Sequence, residues 1–158
     1  IAKSKQTEPE QWGTWKINGK TLSIKWDSGK SVSWESNWFK AFAATKSDSL
    51  NGTYSSLSGG GNVSLGGDGI TVAFNNIAFL PNGQFIQNKG AGASSGGTVT
   101  NSKSSANGTY KVKDYTIELH YEDGTVVRKL FYFYPKQGQK TDKTIGIGNS
   151  SFVKKDPN

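Results

Sequence analysis

Two stretches of this chain alternate apolar and polar residues with a period of two. In residues 20–26, Leu22, Ile24 and Trp26 share one face, and Thr21, Ser23 and Lys25 the other. In residues 115–122, Tyr115, Ile117, Leu119 and Tyr121 stand opposite Thr116, Glu118, His120 and Glu122. That period is the signature of a strand, whose successive side chains point to opposite faces. Turn residues bound both stretches: Asn18-Gly19 and Asp27-Ser28-Gly29 around the first, Lys113-Asp114 and Asp123-Gly124 around the second. Each set predicts a three-stranded meander, over 11–36 and 107–134. The third strand of the second meander, TVVRKLFYFY, is apolar on both faces after Lys129, so it is expected to be covered on both sides.

The meanders align without a gap when 95 is added to each number of the first. Gly13/Gly108, Thr14/Thr109, Lys16/Lys111, Thr21/Thr116, Gly29/Gly124 and Val32/Val127 are identical. Trp15/Tyr110, Ile17/Val112, Leu22/Ile117, Ile24/Leu119, Trp26/Tyr121 and Asp27/Glu122 keep their chemistry. Any meander alternates and turns at glycine, but identical spacing across two turns favours duplication. Residues 11–36 then take a place equivalent to 106–129. They either complete the same sheet system, within a single domain over 11–158, or, as part of 11–49, end a preceding repeat module.

The rest of the chain is less regular. Residues 1–10 are polar and read as a mobile arm or linker. Residues 37–50 fit a short helix or an irregular strand equally well, and place Trp38 and Phe39 at a corner. Strands are expected over 70–74 and 76–80, broken at Asn75-Asn76, then a hairpin at Pro81-Asn82-Gly83, and a last hairpin around Gly148-Asn149-Ser150. Residues 55–69 and 89–107 are rich in Gly, Ser and Asn and read as flexible loops or an exposed rim. The glycines at 59–69 do not make a phosphate cradle, because no Gly-Lys-Ser/Thr and no helix follow them. About eight to ten short strands and no long helix predict an all-β fold, an antiparallel meander closed into a barrel.

Composition narrows the chemistry. Apolar residues make up 33% of the chain, below the usual ~45–50%. Eight Phe, six Tyr and five Trp offset this, because each ring buries ~150–250 Å2. The absence of Cys excludes thiol catalysis, disulfides and Cys-ligated zinc. It fits the cytosol, and equally a bacterial export route without disulfides. With no Met at position 1, the chain reads as a processed form or a piece of a longer one. No run approaches ~18 apolar residues, so no helical membrane span is expected. The formal charge of +7 admits an anionic partner, but its lysines are scattered and Arg128 is the lone arginine. Nucleic-acid recognition is disfavoured on that ground.

Gly13-Thr14-Trp15, Gly52-Thr53-Tyr54 and Gly108-Thr109-Tyr110 resemble the Gly-x-Trp start of lipocalin and avidin-type (calycin) barrels. Residues 50–154 resemble bacterial lipocalin-like domains, in which a G-x-[WY] strand, an F-x-x-x-G-x-F hairpin (here Phe79–Phe85), a G-x-Y strand and a D-G hairpin follow in that order. The chain departs from the family in its three such starts and its long Gly-rich insertions. The resemblance implies a cup for a small apolar ligand, with Trp15, Trp26, Tyr110, Tyr121 and Tyr132 lining it or simply filling the core. Arg128 binds a ligand carboxylate if its face is the interior, and is a surface residue if not. The lone His120 lies on the polar face of its strand and has no placeable catalytic partners. No catalytic set, metal site or cofactor is expected. The reading is a non-catalytic binding domain of an exported bacterial protein, periplasmic, secreted or at the cell surface. The alternative is a protein- or glycan-interaction module of a larger secreted or surface protein, acting through Trp38, Phe39 and the Gly-rich loops.

Overall fold

The computed structural model describes residues 2–156. The chain divides into two compact units, one ending at Phe39 and one beginning at Lys40. In the first, α1 (Ala2–Thr7) and a 3-10 turn (Pro9–Gln11) precede three strands, β1 (Gly13–Asn18), β2 (Thr21–Trp26) and β3 (Ser31–Glu35). Residues 2–10 of the expected mobile arm are therefore structured, and residue 1 lies outside the described residues. Trp12 Nε1 donates to Ser4 Oγ at 3.0 Å, and Lys5 lies 3.9 Å from the Asp27 carboxylate. The strands pair in the order β1-β2-β3.

The second unit holds β4 (Gly52–Gly61), β5 (Ile70–Phe79), β6 (Gln84–Ser95), β7 (Thr98–Lys113), β8 (Thr116–Tyr121), β9 (Val126–Lys136), β10 (Gln139–Ile147) and β11 (Ser150–Lys154). Each pairs antiparallel with the next, and β11 pairs back to β4, which closes an eight-stranded barrel. Inward side chains fill it: Tyr54, Ile77, Phe79, Phe85, Tyr110, Ile117, Leu119, Phe131, Phe133, Ile145, Ile147 and Phe152 are all buried. Eight strands leave an interior about as wide as the side chains that fill it. The aromatics meet edge to face, Phe79 on Tyr110 at 4.7 Å and Phe131 on Phe133 at 5.0 Å, the preferred geometry for ring quadrupoles.

Residues 40–50 are neither helix nor strand but a strap across one end. β8 starts only at Thr116, which leaves a gap between the ends of β7 and β9. Phe42 bridges to Phe133 and Ala44 to Asp114 there, and Leu50 is fully buried. Tyr110 Oη donates to the Leu50 carbonyl at 2.9 Å and accepts from its N–H at 3.1 Å. Asp48 accepts from the Thr45 N–H, the Thr45 hydroxyl and Lys140 Nζ.

The two meanders match pair for pair. Gly13↔Trp26, Trp15↔Ile24 and Ile17↔Leu22 in β1/β2 match Gly108↔Tyr121, Tyr110↔Leu119 and Val112↔Ile117 in β7/β8. Lys25↔Ser31 and Thr21↔Glu35 match His120↔Val126 and Thr116↔Leu130. A Cβ on Gly108 would overlap the His120 carbonyl oxygen, and one on Gly13 would overlap that of Lys25, so both copies need glycine at the same point. The copies differ in what covers them. Residues 11–36 form their own sheet and add no strand to the barrel; Trp15 is 70% exposed, while its counterpart Tyr110 is buried.

Three other expectations change. Residues 55–61, 89–95 and 98–107 are paired strand, not loop, and β5 runs through Asn75-Asn76 without a break. Together these upper parts of β4–β7 form a four-stranded arm beyond the barrel. Residues 98–107 of β7 rise past its last β8 partner, Gly108, by about 30 Å at ~3.3 Å per residue. Lastly, the outer face of β9 is not buried. Leu130 is exposed, and Tyr132 and Tyr134 lie side by side, their rings 5.1 Å apart.

Acid should loosen the strap. Burial raises the Asp48 pKa, but the bonds from Lys140 and Thr45 outweigh it and hold the carboxyl below its usual value. A group depressed in the folded state stabilises it above the unfolded pKa and loses that contribution as pH falls through the folded pKa, here below about pH 4. Asp48→Asn should lower the melting temperature at pH 7 and flatten the loss of stability below about pH 4. Equal acid sensitivity in the two proteins would show that Asp48 does not tie the strap.

Candidate functional site

Going up the barrel, the inward residues change from aromatic to polar. On β6 the inward series is Phe85, Gln87, Lys89; on β5 it is Phe79, Ile77, Asn75, because the register pairs Phe79↔Phe85, Ile77↔Gln87 and Asn75↔Lys89. Gln87 is the turning point. It is 4% exposed, and its amide is held on both sides. Nε2 donates to Asn75 Oδ1 at 2.9 Å, and Tyr121 Oη donates to Gln87 Oε1 at 2.9 Å. A buried amide left unpaired is costly, so the two bonds fix its orientation. The Tyr121 ring stands edge-on to Phe85 at 5.2 Å, joining the polar layer to the apolar one below.

Above this floor is a recess of about 300 Å3 lined by Gln87, Lys89, Ser104, Tyr121, Asp123 and Thr125 among others. It opens where β7 parts from β8. The β8–β9 turn supplies one wall: Asp123 Oδ1 accepts from the Thr125 N–H at 2.8 Å, and that bond holds its carboxyl below the usual range. Tyr121 is shifted the other way, upward, by burial first and by the Asp123 carboxylate second. Tyr121 therefore stays a neutral hydroxyl at any physiological pH.

The recess offers both kinds of hydrogen-bonding group. Lys89 brings an ammonium, Asp123 a carboxylate, and Ser104 and Thr125 hydroxyls. Gln87 keeps a second amide proton and a second lone pair beyond those already used. Among the described residues no three His, Cys, Asp or Glu side chains lie close enough to hold a metal ion.

Of the residues that the resemblance suggested for a ligand cup, Tyr121 alone borders this recess. Tyr110 is a core residue with its hydroxyl spent on Leu50. Trp15 and Trp26 belong to the separate three-stranded sheet. Tyr132 lies on the barrel's outer face, over Gly146, where a Cβ would run into its ring. Arg128 is also outside, its side chain 72% exposed, because its register partner Glu118 faces outward. It donates from Nε to Glu118 at 2.5 Å, and His120 Nε2 lies 3.3 Å from the other oxygen. Those two bonds, Arg128 first, lower the Glu118 pKa. Trp38 is exposed on one side, with Nε1 bonded to the Lys20 carbonyl at 2.8 Å, and Phe39 is also exposed.

Gln87, Asn75, Lys89, Ser104, Asp123 and Thr125 were missed. One signal was present. With Phe85 inward, the period of two turns Gln87 and Lys89 inward as well, which is unusual for polar residues in a barrel strand.

No protein-family model, no curated protein and no solved structure matches this chain.

Gln87→Leu should cost about 1–3 kcal/mol, because it strands the Asn75 oxygen and the Tyr121 hydroxyl without changing the shape of the floor much. Adding Tyr121→Phe should then cost less than Tyr121→Phe does alone, as a double-mutant cycle by denaturant unfolding would show. Strict additivity would mean that the two side chains are not coupled.

Proposed function

We propose that residues 40–158 form a non-catalytic binding domain whose site is the polar mouth of the barrel. The single observation that supports this is the buried Gln87 amide, held between Asn75 and Tyr121 at the base of an open recess. A polar layer at the base of an open recess suits a site that orients a polar ligand. The closed eight-stranded architecture suits the lipocalin-like reading, but the filled interior argues against an apolar ligand at the centre. The ligand we assign is small and hydroxylated, a sugar residue of a glycan. Sugars carry donors and acceptors on each hydroxyl, and the recess mixes both with the edge of one aromatic ring. Export from a bacterium, consistent with the absence of Cys, would give such a domain access to surface or secreted glycans.

A second reading, protein interaction, is favoured for residues 13–35 by a separate observation. The pairings put Trp15, Ile17, Leu22, Ile24, Trp26, Val32 and Trp34 on one face of the three-stranded sheet. Trp15, Ile17 and Trp34 are exposed on it, and exposed apolar patches of this kind mark interaction surfaces.

A glycan array probed with the full chain, followed by calorimetry on any hit, tests the first reading. We expect binding, weakened about three- to ten-fold by Lys89→Ala, which removes one charge-assisted hydrogen bond and leaves the floor intact. An array without hits would overturn the reading, and so would a hit indifferent to Lys89→Ala and Thr125→Ala.

A further inference from the structure

The four-stranded arm leaves one long backbone edge free. β7 pairs with β6 along its whole upper length, from Thr109↔Gln84 to Thr98↔Ser95, with no bulge. On its other side, β8 pairs only from Gly108 downward, and the Asn107 carbonyl takes the Glu122 N–H at 3.1 Å. Above that point the described residues supply no partner. Since Asn107 points its carbonyl to the β8 side, alternation turns the N–H and C=O of Val99, Asn101, Lys103 and Ser105 to the same open side. Natural sheets blunt such edges with proline, bulges, close-set charges or a covering element. Residues 98–106 have no proline and no bulge, and Lys103 is their one charge. The tips of the arm are tied together. Asp68, at the neighbouring hairpin tip, accepts from the Gly96 N–H at 2.7 Å and from Ser95 Oγ at 3.3 Å.

We infer that this edge, residues 98–106 of β7, pairs antiparallel with the same edge of a second copy of the chain, joining two four-stranded arms into one eight-stranded sheet. A two-fold axis at Ser102 uses the whole edge. It sets Val99 opposite Ser105 and Asn101 opposite Lys103 of the second copy, all residues whose backbone groups face the partner. About eight inter-chain hydrogen bonds form, two for each such pair. The alternate residues match small hydroxyls and methyls, Thr98 with Ala106, Thr100 with Ser104, and Ser102 with itself, pairs that suit cross-strand contact.

Charge selects this register over its neighbour. Moving the axis to Lys103 would place that lysine opposite its own copy, which is unfavourable across a pair. The axis at Ser102 puts an amide there instead. At the ends of the edge, the Gly96-Gly97 turn of each copy comes up beside Glu122 of the other, which already pairs with Asn107, and the absence of side chains on the turn limits the crowding there. The antiparallel arrangement also carries the two barrels to opposite ends of the joint sheet.

The other free edge, Ser56–Gly61 of β4, is shorter. Pairing β7 with β4 of the next copy would be head-to-tail and would propagate as a filament or ring. The self-matched β7 edge predicts a discrete dimer. With no broad apolar face between the arms, that dimer is small in area and concentration-dependent.

Sedimentation equilibrium of the full chain, from about 10 μM to about 1 mM, reads the outcome. We expect a monomer–dimer equilibrium. Asn101→Lys places like charges opposite each other twice and should weaken it roughly three- to ten-fold, while Asn101→Asp should tighten it at low salt and lose that gain at high salt. Asn101→Pro should abolish the dimer, because the proline removes an N–H that faces the open side and no bond to β6. Its circular dichroism and melting temperature show whether the arm survives; if they change, the Asn101→Lys and Asn101→Asp pair decides alone. A monomer throughout the range would overturn the inference. So would a dimer indifferent to the charge at 101, or an open-ended series of oligomers.

Discussion

The structure depends on one steric constraint: an eight-stranded barrel has room inside for side chains and little else. Every second residue of each strand must contribute to that filling. Tyr54, Phe79, Phe85, Tyr110, Phe131, Phe133 and Phe152 meet it with few residues and large rings, which is how a chain with 33% apolar residues supports a core. The same constraint leaves open space at the end of the barrel and none at its centre. Going upward, the rings stop at Phe85 and Tyr121, and the next inward residues are Gln87 and Asn75, tied into a polar layer.

The duplicated meander shows how far local sequence determines structure. Both copies have the same turns, the same register and the same obligatory glycine, at Gly13 and Gly108. Burial is not duplicated. The face that carries Tyr110, Ile117 and Leu119 meets the strands around the barrel, whereas Trp15 on the first copy stays exposed. Alternation and turn chemistry act within a few residues, so each meander carries them by itself. What covers a face is set by the rest of the chain.

That division explains what was legible. Asn18-Gly19, Asp123-Gly124 and the alternating Leu22/Ile24/Trp26 and Ile117/Leu119/Tyr121 announced the strands, because period and turn type are local signals. The arm was not legible. Residues 55–61 and 89–107 are mostly glycine, serine, asparagine and alanine, which have weak strand propensity, and they carry no apolar stripe. Their strand state comes from the neighbours they pair with in β4 to β7, beginning from the barrel below. Arg128 shows the limit of alternation by itself. Its face was readable, but not which face was inside, until Glu118 across the sheet was seen to point outward. Gln87 was the reverse case: its inward position followed from Phe85, and its polarity marked the layer where the core ends.

On the proposed binding role, ligands meet the polar floor at Gln87 and do not enter the aromatic interior. The most direct measurement is an NMR titration of the full chain with a sugar that binds it, following the Gln87 side-chain amide beside the backbone signals of Ile117, Ile145 and Phe152. The Gln87 amide and the Tyr121 and Thr125 signals are expected to move together and saturate while the core signals stay in place. Shifts led by Ile117, Ile145 or Phe152, with Gln87 unmoved, would contradict it and return the site to the barrel's centre.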